Sequence, residues 1–180
     1  MATYDIRPAT LDDVDALVHH RIGMFSDMGT AFDVTAVDHA FRAWLAETMP
    51  AGTYQAWVVE TGSDDPAETT SKERHPRRPG DIVAGGGVTI LPWPPGPNYV
   101  GGRIAFVYNV YTERSHRRRG LARLVMETIH AWCREHGIGL VGLNSSEEGR
   151  PLYEAMGYQP ARSPLMFAAV DVGEPPPRRA

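Results

Sequence analysis

The run Arg117-Arg118-Arg119-Gly120-Leu121-Ala122 constrains this chain more than any other stretch. It follows a segment of strand character, Gly102 to Thr112, and opens a helical pattern that closes near His136. A strand, a tight turn and a helix start make an anion site from backbone alone. The first helical turn has N–H groups without partners, at the positive end of the helix dipole. Gly120 lets the backbone approach a ligand with no Cβ in the way, and Ala122 is small to the same end. Three arginines add forked donors suited to phosphate oxygens. The stretch reads as a site for a phosphate or pyrophosphate. No Gly-Lys-Ser/Thr follows, so it is not a nucleotide P-loop. A nucleic-acid partner is not expected either: the chain carries a net charge of −4, and no aromatic stacking pattern accompanies the cluster.

At 180 residues the chain is most simply one domain, residues 1–172, with a core of its own. Residues 61–80 hold almost no large apolar side chain and read as a mobile insertion, and residues 173–180 as a disordered Pro-rich tail. The single cysteine, Cys133, excludes an internal disulfide framework and suits a reducing compartment. No basic-then-apolar leader is present, and no apolar run approaches about 18 residues, so a cytoplasmic protein without membrane partners is expected. The histidines show no ligand spacing with acids or the cysteine, so no metal is expected.

Along the chain, Tyr4-Asp5-Ile6-Arg7 reads as a first strand ending at Pro8, and Thr10 as the cap of a helix through Ile22. Gly23 to Thr35 reads as a loop or broken helix rich in apolar groups. Phe25, Asp27 and Met28 there, with Tyr108, are candidates to wall a substrate pocket, the carboxylate attracting a cationic amine. Thr35 caps a second helix through Thr48. Strands follow at Tyr54–Glu60 and Ile82–Ile90, the latter containing Gly85-Gly86-Gly87, a mark of a bulge or close backbone approach. The Pro-rich loop Leu91–Gly101 is placed near the pocket, with Trp93 and Tyr99 lining it. In the strand to Thr112, simple alternation sets Tyr108 and Val110 on one face, Asn109 and Tyr111 on the other. The helix from Arg119 to Glu135 ends at Gly137, and a strand at Ile138–Leu143 completes a parallel crossover. Ser145 and Glu148 have capping-box spacing before Pro151, and Leu165–Val172 reads as a last strand.

Arg-x-x-Gly-x-Ala after a strand resembles the acyl-CoA pyrophosphate loop of the GNAT family of N-acetyltransferases. Leu152-Tyr153-Glu154-Ala155-Met156-Gly157-Tyr158 resembles that family's second signature, in the family's order. The resemblance extends loosely over Tyr4 to Val170. It implies an α/β fold with a mixed, splayed central sheet of roughly six or seven strands flanked by helices on both faces. It implies acetyl-CoA as co-substrate, an amine-bearing small molecule or peptide as acceptor, and direct attack without an acyl-enzyme. Oligomeric state stays open, although this fold often pairs as a homodimer through its C-terminal strands.

Roles carry over residue by residue. Arg117, Arg118, Arg119, Gly120, Leu121 and Ala122 would cradle the pyrophosphate. Val110, Tyr111 and Thr112 match the strand end that binds the pantetheine arm, where the resemblance implies a bulge and a donor, Val110 N–H, to the thioester carbonyl. Tyr153 matches the tyrosine that protonates the leaving thiolate. Many relatives have Asn where Ser146 stands, and Asn144 could reach the arm instead; many have Pro where Arg114 stands. For the base, Glu113 leads, with Tyr108, Asn109 and Tyr111 also open. Two other readings are a catalytically silent acyl-CoA-binding module and a basic-patch interaction protein.

Overall fold

The computed structural model describes residues 3–62, 82–161 and 166–168. Met1–Ser146 and Glu147–Ala180 form two compact units, and each is described by itself. The first unit is built on a sheet of β1 (Tyr4–Pro8), β2 (Tyr54–Thr61), β3 (Ile82–Pro92), β4 (Arg103–Thr112) and β5 (Val141–Leu143), in that spatial order. The first four pair antiparallel; β4 and β5 pair parallel, as the helical crossover between them requires. Helices α1 (Val14–Asp27), α2 (Val34–Thr48) and α3 (Leu121–Glu135) cover the sheet.

The triple glycine shows how they do so. A Cβ on Gly85 would meet His20 of α1 at 3.3 Å, and one on Gly86 would meet Val125 of α3 at 2.9 Å. Neighbouring strand residues face opposite sides, so α1 and α3 lie on opposite faces. The α1/α2 face buries Leu17, Val18, Phe41, Leu45, Tyr54 and Val58 in one cluster. On the α3 face the rings of Trp57 and Trp132 meet edge to face at 5.8 Å.

Several boundaries differ from the sequence expectation. Helix α1 runs on to Asp27, so Phe25 and Asp27 are helical and Met28 is its C-cap. Asp33, not Thr35, caps α2, accepting from Ala36 N–H at 3.0 Å. Strand β5 begins at Val141, because Ile138 N–H first closes the end of α3 on Cys133 O. Tyr99 braces its loop instead of lining a pocket: its hydroxyl donates to Arg103 O and accepts from Gly139 N–H, at the end of β4 away from Thr112. Five strands are formed among the described residues, against the six or seven expected. Of Leu165–Val172, residues 166–168 lie outside any strand, and the rest lies outside the described residues, as do the tail and the insertion read at 61–80 from residue 63 on; Thr61 itself ends β2.

In the second unit, α4 (Arg150–Ala155) starts from Gly149 with no side-chain cap and Pro151 in its first turn; the Ser145–Glu148 box is not formed. Pro fits there because first-turn N–H groups need no helical partner.

Close packing at the triple glycine should show in stability. A Cβ on Gly87 would stand 2.4 Å from the buried Tyr54 hydroxyl and 2.8 Å from Gln55 O. Gly87→Ala should therefore cost about 1–3 kcal/mol in urea unfolding.

Candidate functional site

Strand β4 changes phase once. Gly85 pairs with Tyr111 and Gly87 with Tyr108, so the single residue Gly86 faces both Asn109 and Val110. That is a β-bulge, and Asn109 takes the left-handed backbone, φ 56°, that it requires. Asparagine is among the non-glycine residues that tolerate that region best. The hydrogen bonds record the slip. Ala105 N–H points to β5, donating to Leu140 O at 3.0 Å. Glu113 N–H, which an unbroken strand would point the same way, donates to Val83 O of β3 at 2.8 Å. Counting back from Glu113, the backbones of Val110 and Thr112 point away from β3 and that of Tyr111 points toward it. Pairing with β5 stops at Val107, so beyond it the outer edge of β4 meets no strand among the described residues.

The bulge also corrects the simple alternation. Tyr108 and Tyr111 share the α1 face, while Val110 faces Val125 across Gly86. Tyr111 packs its ring on His20, 5.2 Å between centroids, and so offers neither ring nor backbone to the open edge.

Past Thr112 the chain makes a short 3-10 turn, Arg114–His116, then the turn that opens α3. Arg118 (φ 63°) and Gly120 (φ 82°) are both left-handed, and no side chain caps the helix. The backbone N–H groups from Arg118 to Arg123 have no hydrogen-bond partner among the described residues. These N–H groups form an uncapped helix N-terminus at the mouth of an open strand edge.

The arginine side chains are mostly committed elsewhere. Arg117 binds Asp27, and its Nε donates to Thr112 O at 3.0 Å. Arg114 binds the other oxygen of Asp27. Arg119 donates to Tyr4 Oη at 2.9 Å and to Ser115 O at 3.3 Å. His116, beside the turn, meets the same Tyr4 hydroxyl at 3.0 Å. What the turn leaves unpaired is backbone N–H, with Arg118 exposed beside it. Asp27 does not fit its expected part as a lure for cationic amines. Two arginines neutralise it, and their hydrogen bonds hold its carboxyl below the usual carboxylate range.

Helix α1 brings further groups that sequence reasoning passed over. His19 Nε2 meets Glu113 Oε1 at 2.8 Å. His20 is buried between Gly85 and Tyr111, and neither ring nitrogen has a hydrogen-bond partner. Burial, with His19 adding to it, pushes the His20 imidazole down to about 4. Arg21 Nη1 donates to Asn109 Oδ1 at 2.6 Å, and Asn109 Nδ2 donates to the buried Tyr54 hydroxyl at 3.4 Å. Phe25 packs on Phe32, Met28 is exposed, and Tyr108 is 37% exposed beside Phe106. The chain order hinted at none of these pairings; the triple glycine marked only a bulge or a close backbone approach.

Asn144 and Ser146 follow β5, both exposed. In the second unit Tyr153 lies edge to face with Tyr158, and burial pushes its phenol up. Cys133 is buried and its thiol is likewise raised, which makes it a poor nucleophile. Among the described residues no group of histidine, cysteine and acidic side chains could hold a metal ion, and no helix is long and apolar enough to cross a membrane.

A sequence model of the acetyltransferase (GNAT) family matches residues 34–158, more than half of the chain. Among solved structures, the chain is similar to a GCN5-related N-acetyltransferase from Ralstonia eutropha JMP134. Identity is 28% and TM-score 0.75, covering 93% of this chain and 99% of that one. It is similar to a predicted acetyltransferase with acetyl-CoA from Clostridium acetobutylicum, at 22% identity and TM-score 0.76 over 92% and 96% of the two chains. It is also similar to glucosamine-6-phosphate N-acetyltransferase from Arabidopsis thaliana, at 23% identity and TM-score 0.63 over 94% and 99%. No curated protein matches the chain in sequence.

The neutral His20 sets a pH dependence of stability. Its folded pKa, about 4, lies below the unfolded value near 6.5, so the unfolded chain binds the extra proton as pH falls. The contribution is present above the unfolded value and lost on going down toward the folded one. Urea unfolding at about pH 5 should show a loss of about 2 kcal/mol relative to about pH 7.5 from this group. His20→Gln should remove that part of the slope.

Proposed function

This chain belongs to the acetyltransferase (GNAT) family, and from that premise we propose that it moves an acetyl group from acetyl-CoA to a primary amine of a small molecule or peptide. The observation that carries the reading is the junction of two features: the open outer edge of β4 after its bulge, and the unpartnered N–H groups of Arg118 to Arg123 that follow. Together they suit a ligand with an amide-bearing arm and a pyrophosphate.

In this reading the N–H groups from Arg118 to Ala122 hold the pyrophosphate, supported by the helix dipole and the exposed Arg118. Gly120 and Leu121 contribute backbone only. Arg117 contributes by fixing the turn through Asp27 and Thr112 O. The pantetheine arm runs along the outward backbone groups of Val110 and Thr112 as an added strand, with Asn144 or Ser146 on its far side. Val110 N–H, turned to that edge, donates to the thioester oxygen, where negative charge develops in the transition state.

The amine nitrogen attacks the thioester carbon and the C–S bond breaks. Glu113, which His19 holds at 2.8 Å, takes the proton from the amine, directly or through water. Tyr153 gives a proton to the thiolate; its phenol, raised by burial, stays protonated at neutral pH. The buried Cys133 argues for direct attack rather than an acyl-enzyme.

Calorimetric titration with acetyl-CoA tests the donor site. The chain should bind saturably; Gly120→Glu should abolish binding, whereas Gly120→Ala, sharing the backbone strain at φ 82° without the charge, should retain most of it. Unchanged affinity in Gly120→Glu would sink the assignment. Tyr153→Phe should slow thiol release about 100-fold with little change in acetyl-CoA affinity. Binding with no turnover against any amine would instead identify a silent acyl-CoA module.

A further inference from the structure

Arg21 is a half-buried cation to which no acid is bound among the described residues. It lies on α1, with its guanidinium carbon 4.7 Å from the Phe41 ring centroid and 5.0 Å from that of Phe25. Its one hydrogen bond among the described residues runs from Nη1 to Asn109 Oδ1, a neutral acceptor. The acids of the neighbouring turn have other partners: Asp27 is held by Arg114 and Arg117, and Glu113 pairs with His19. Burial accordingly pulls the guanidinium below its ordinary value, with only the nearby hydroxyls of Tyr54 and Tyr108 acting the other way.

A partly desolvated guanidinium without a counter-ion is costly, and an arriving anion recovers that cost. The position decides which anion. Asn109 adjoins Val110, whose N–H is turned to the open strand edge, and Tyr108, on the α1 face with Arg21, is partly exposed. The guanidinium therefore stands on the α1 face of β4, bonded to the residue that adjoins Val110 in the bulge. Nη1 is committed, but Nε and Nη2 remain, and that edge of the fork matches two oxygens of one anionic group.

We propose that the acceptor amine carries an anionic oxygen pair, a carboxylate or a phosphate monoester, which Arg21 binds through its Nε–Nη2 edge. This rests on the acetyltransferase reading and narrows it: the acceptor is an amino acid-like or amino-phosphate compound, not a polycation. Arg21 acts as a specificity determinant by reversing the charge that Asp27 suggested from the sequence.

The test compares matched amines in a thiol-release assay with acetyl-CoA. The pairs are L-amino acids against their carboxamides, and O-phosphoethanolamine against ethanolamine. The wild-type chain should favour the anionic member of at least one pair by about tenfold or more in kcat/KM, and the favoured pair tells carboxylate from phosphate. Arg21→Met should bring that ratio close to one, chiefly through KM, and Arg21→Lys should restore part of it. Any change in acetyl-CoA affinity that reaches the donor site through the clamped bulge should affect both members of a pair equally, so the ratio carries the test. Equal use of neutral and anionic amines by the wild type would overturn the proposal, and that comparison needs no variant to fold. A loss in Arg21→Met that is equal for both members would also overturn it, leaving Arg21 as a support for the bulge. Should no amine be turned over, calorimetry with N-acetylated amino acids, their amides and N-acetyl-O-phosphoethanolamine in the presence of CoA still decides. Discrimination for the anion, lost in Arg21→Met, upholds the site while the transferase reading falls. Acetyl-CoA binding without any discrimination overturns Arg21's role alone.

Discussion

The left-handed backbone of Asn109 is the constraint on which the rest of the first unit depends. One extra residue in β4 turns the outward backbone of Val110 and Thr112 away from β3, where a regular strand would present other residues. Holding a non-glycine residue at φ 56° costs energy, and the surroundings over-determine it. Arg21 and Tyr54 occupy both ends of its amide, so a buried polar side chain is satisfied as well as clamped. Opposite the bulge stands Gly86, where a Cβ would crowd both Val110 and Val125. Val125 belongs to α3, the helix whose N-terminal N–H groups are unpartnered among the described residues. Bulge and turn are therefore seated on one another through a single close contact.

Charge at the turn is arranged so that three of its arginines are paired while the backbone N–H groups are left without partners among the described residues. A cluster of arginines in sequence suggests a cationic patch. In three dimensions Asp27 takes Arg114 and Arg117, and Tyr4 with Ser115 O takes Arg119. Exposed ion pairs of this kind add little to stability in themselves. Here their consequence is positional: Arg117, tied to Thr112 O and lying over the Tyr111 ring at 5.7 Å, fixes the path from strand to helix. The N–H groups of the turn need that fixed path, because a helix N-terminus binds an anion only if its donors converge.

The turn was legible because its information is local: Gly120, the helical stripe after it and the strand before it all lie within one stretch. The central crossover followed for the same reason. The resemblance implied a bulge near the end of β4, but its place was not legible from alternation, which set Tyr108 with Val110, since the slip depends on Gly86 facing Asn109 across strands. Gly23 misled in another way. As a helix breaker it suggested a loop, yet it lies inside α1 because the Tyr111 ring occupies the place of its missing side chain, 2.8 Å from an ideal Cβ. The partners of Asp27, Arg21 and Glu113 are all contacts of long sequence separation, and no periodicity encodes them.

Helix α1 ties these observations together. His20, Arg21, Gly23 and Asp27 recur at helical spacing along the side of α1 that meets β4 and the turn. They meet, in order, Tyr111 and Gly85, Asn109, Tyr111, and the pair Arg114 and Arg117. One rigid element thus touches the bulge with one of its turns and the strand-to-helix path with the next but one. At Gly23 the hydroxyl end of the Tyr111 ring fills the place of a side chain, 2.8 Å from an ideal Cβ, so a larger residue there would crowd the contact between α1 and β4 that lies between Arg21 and Asp27. Arg21 on the bulge and Asp27 on the strand-to-helix turn are therefore not independent features but two ends of one packed helix face.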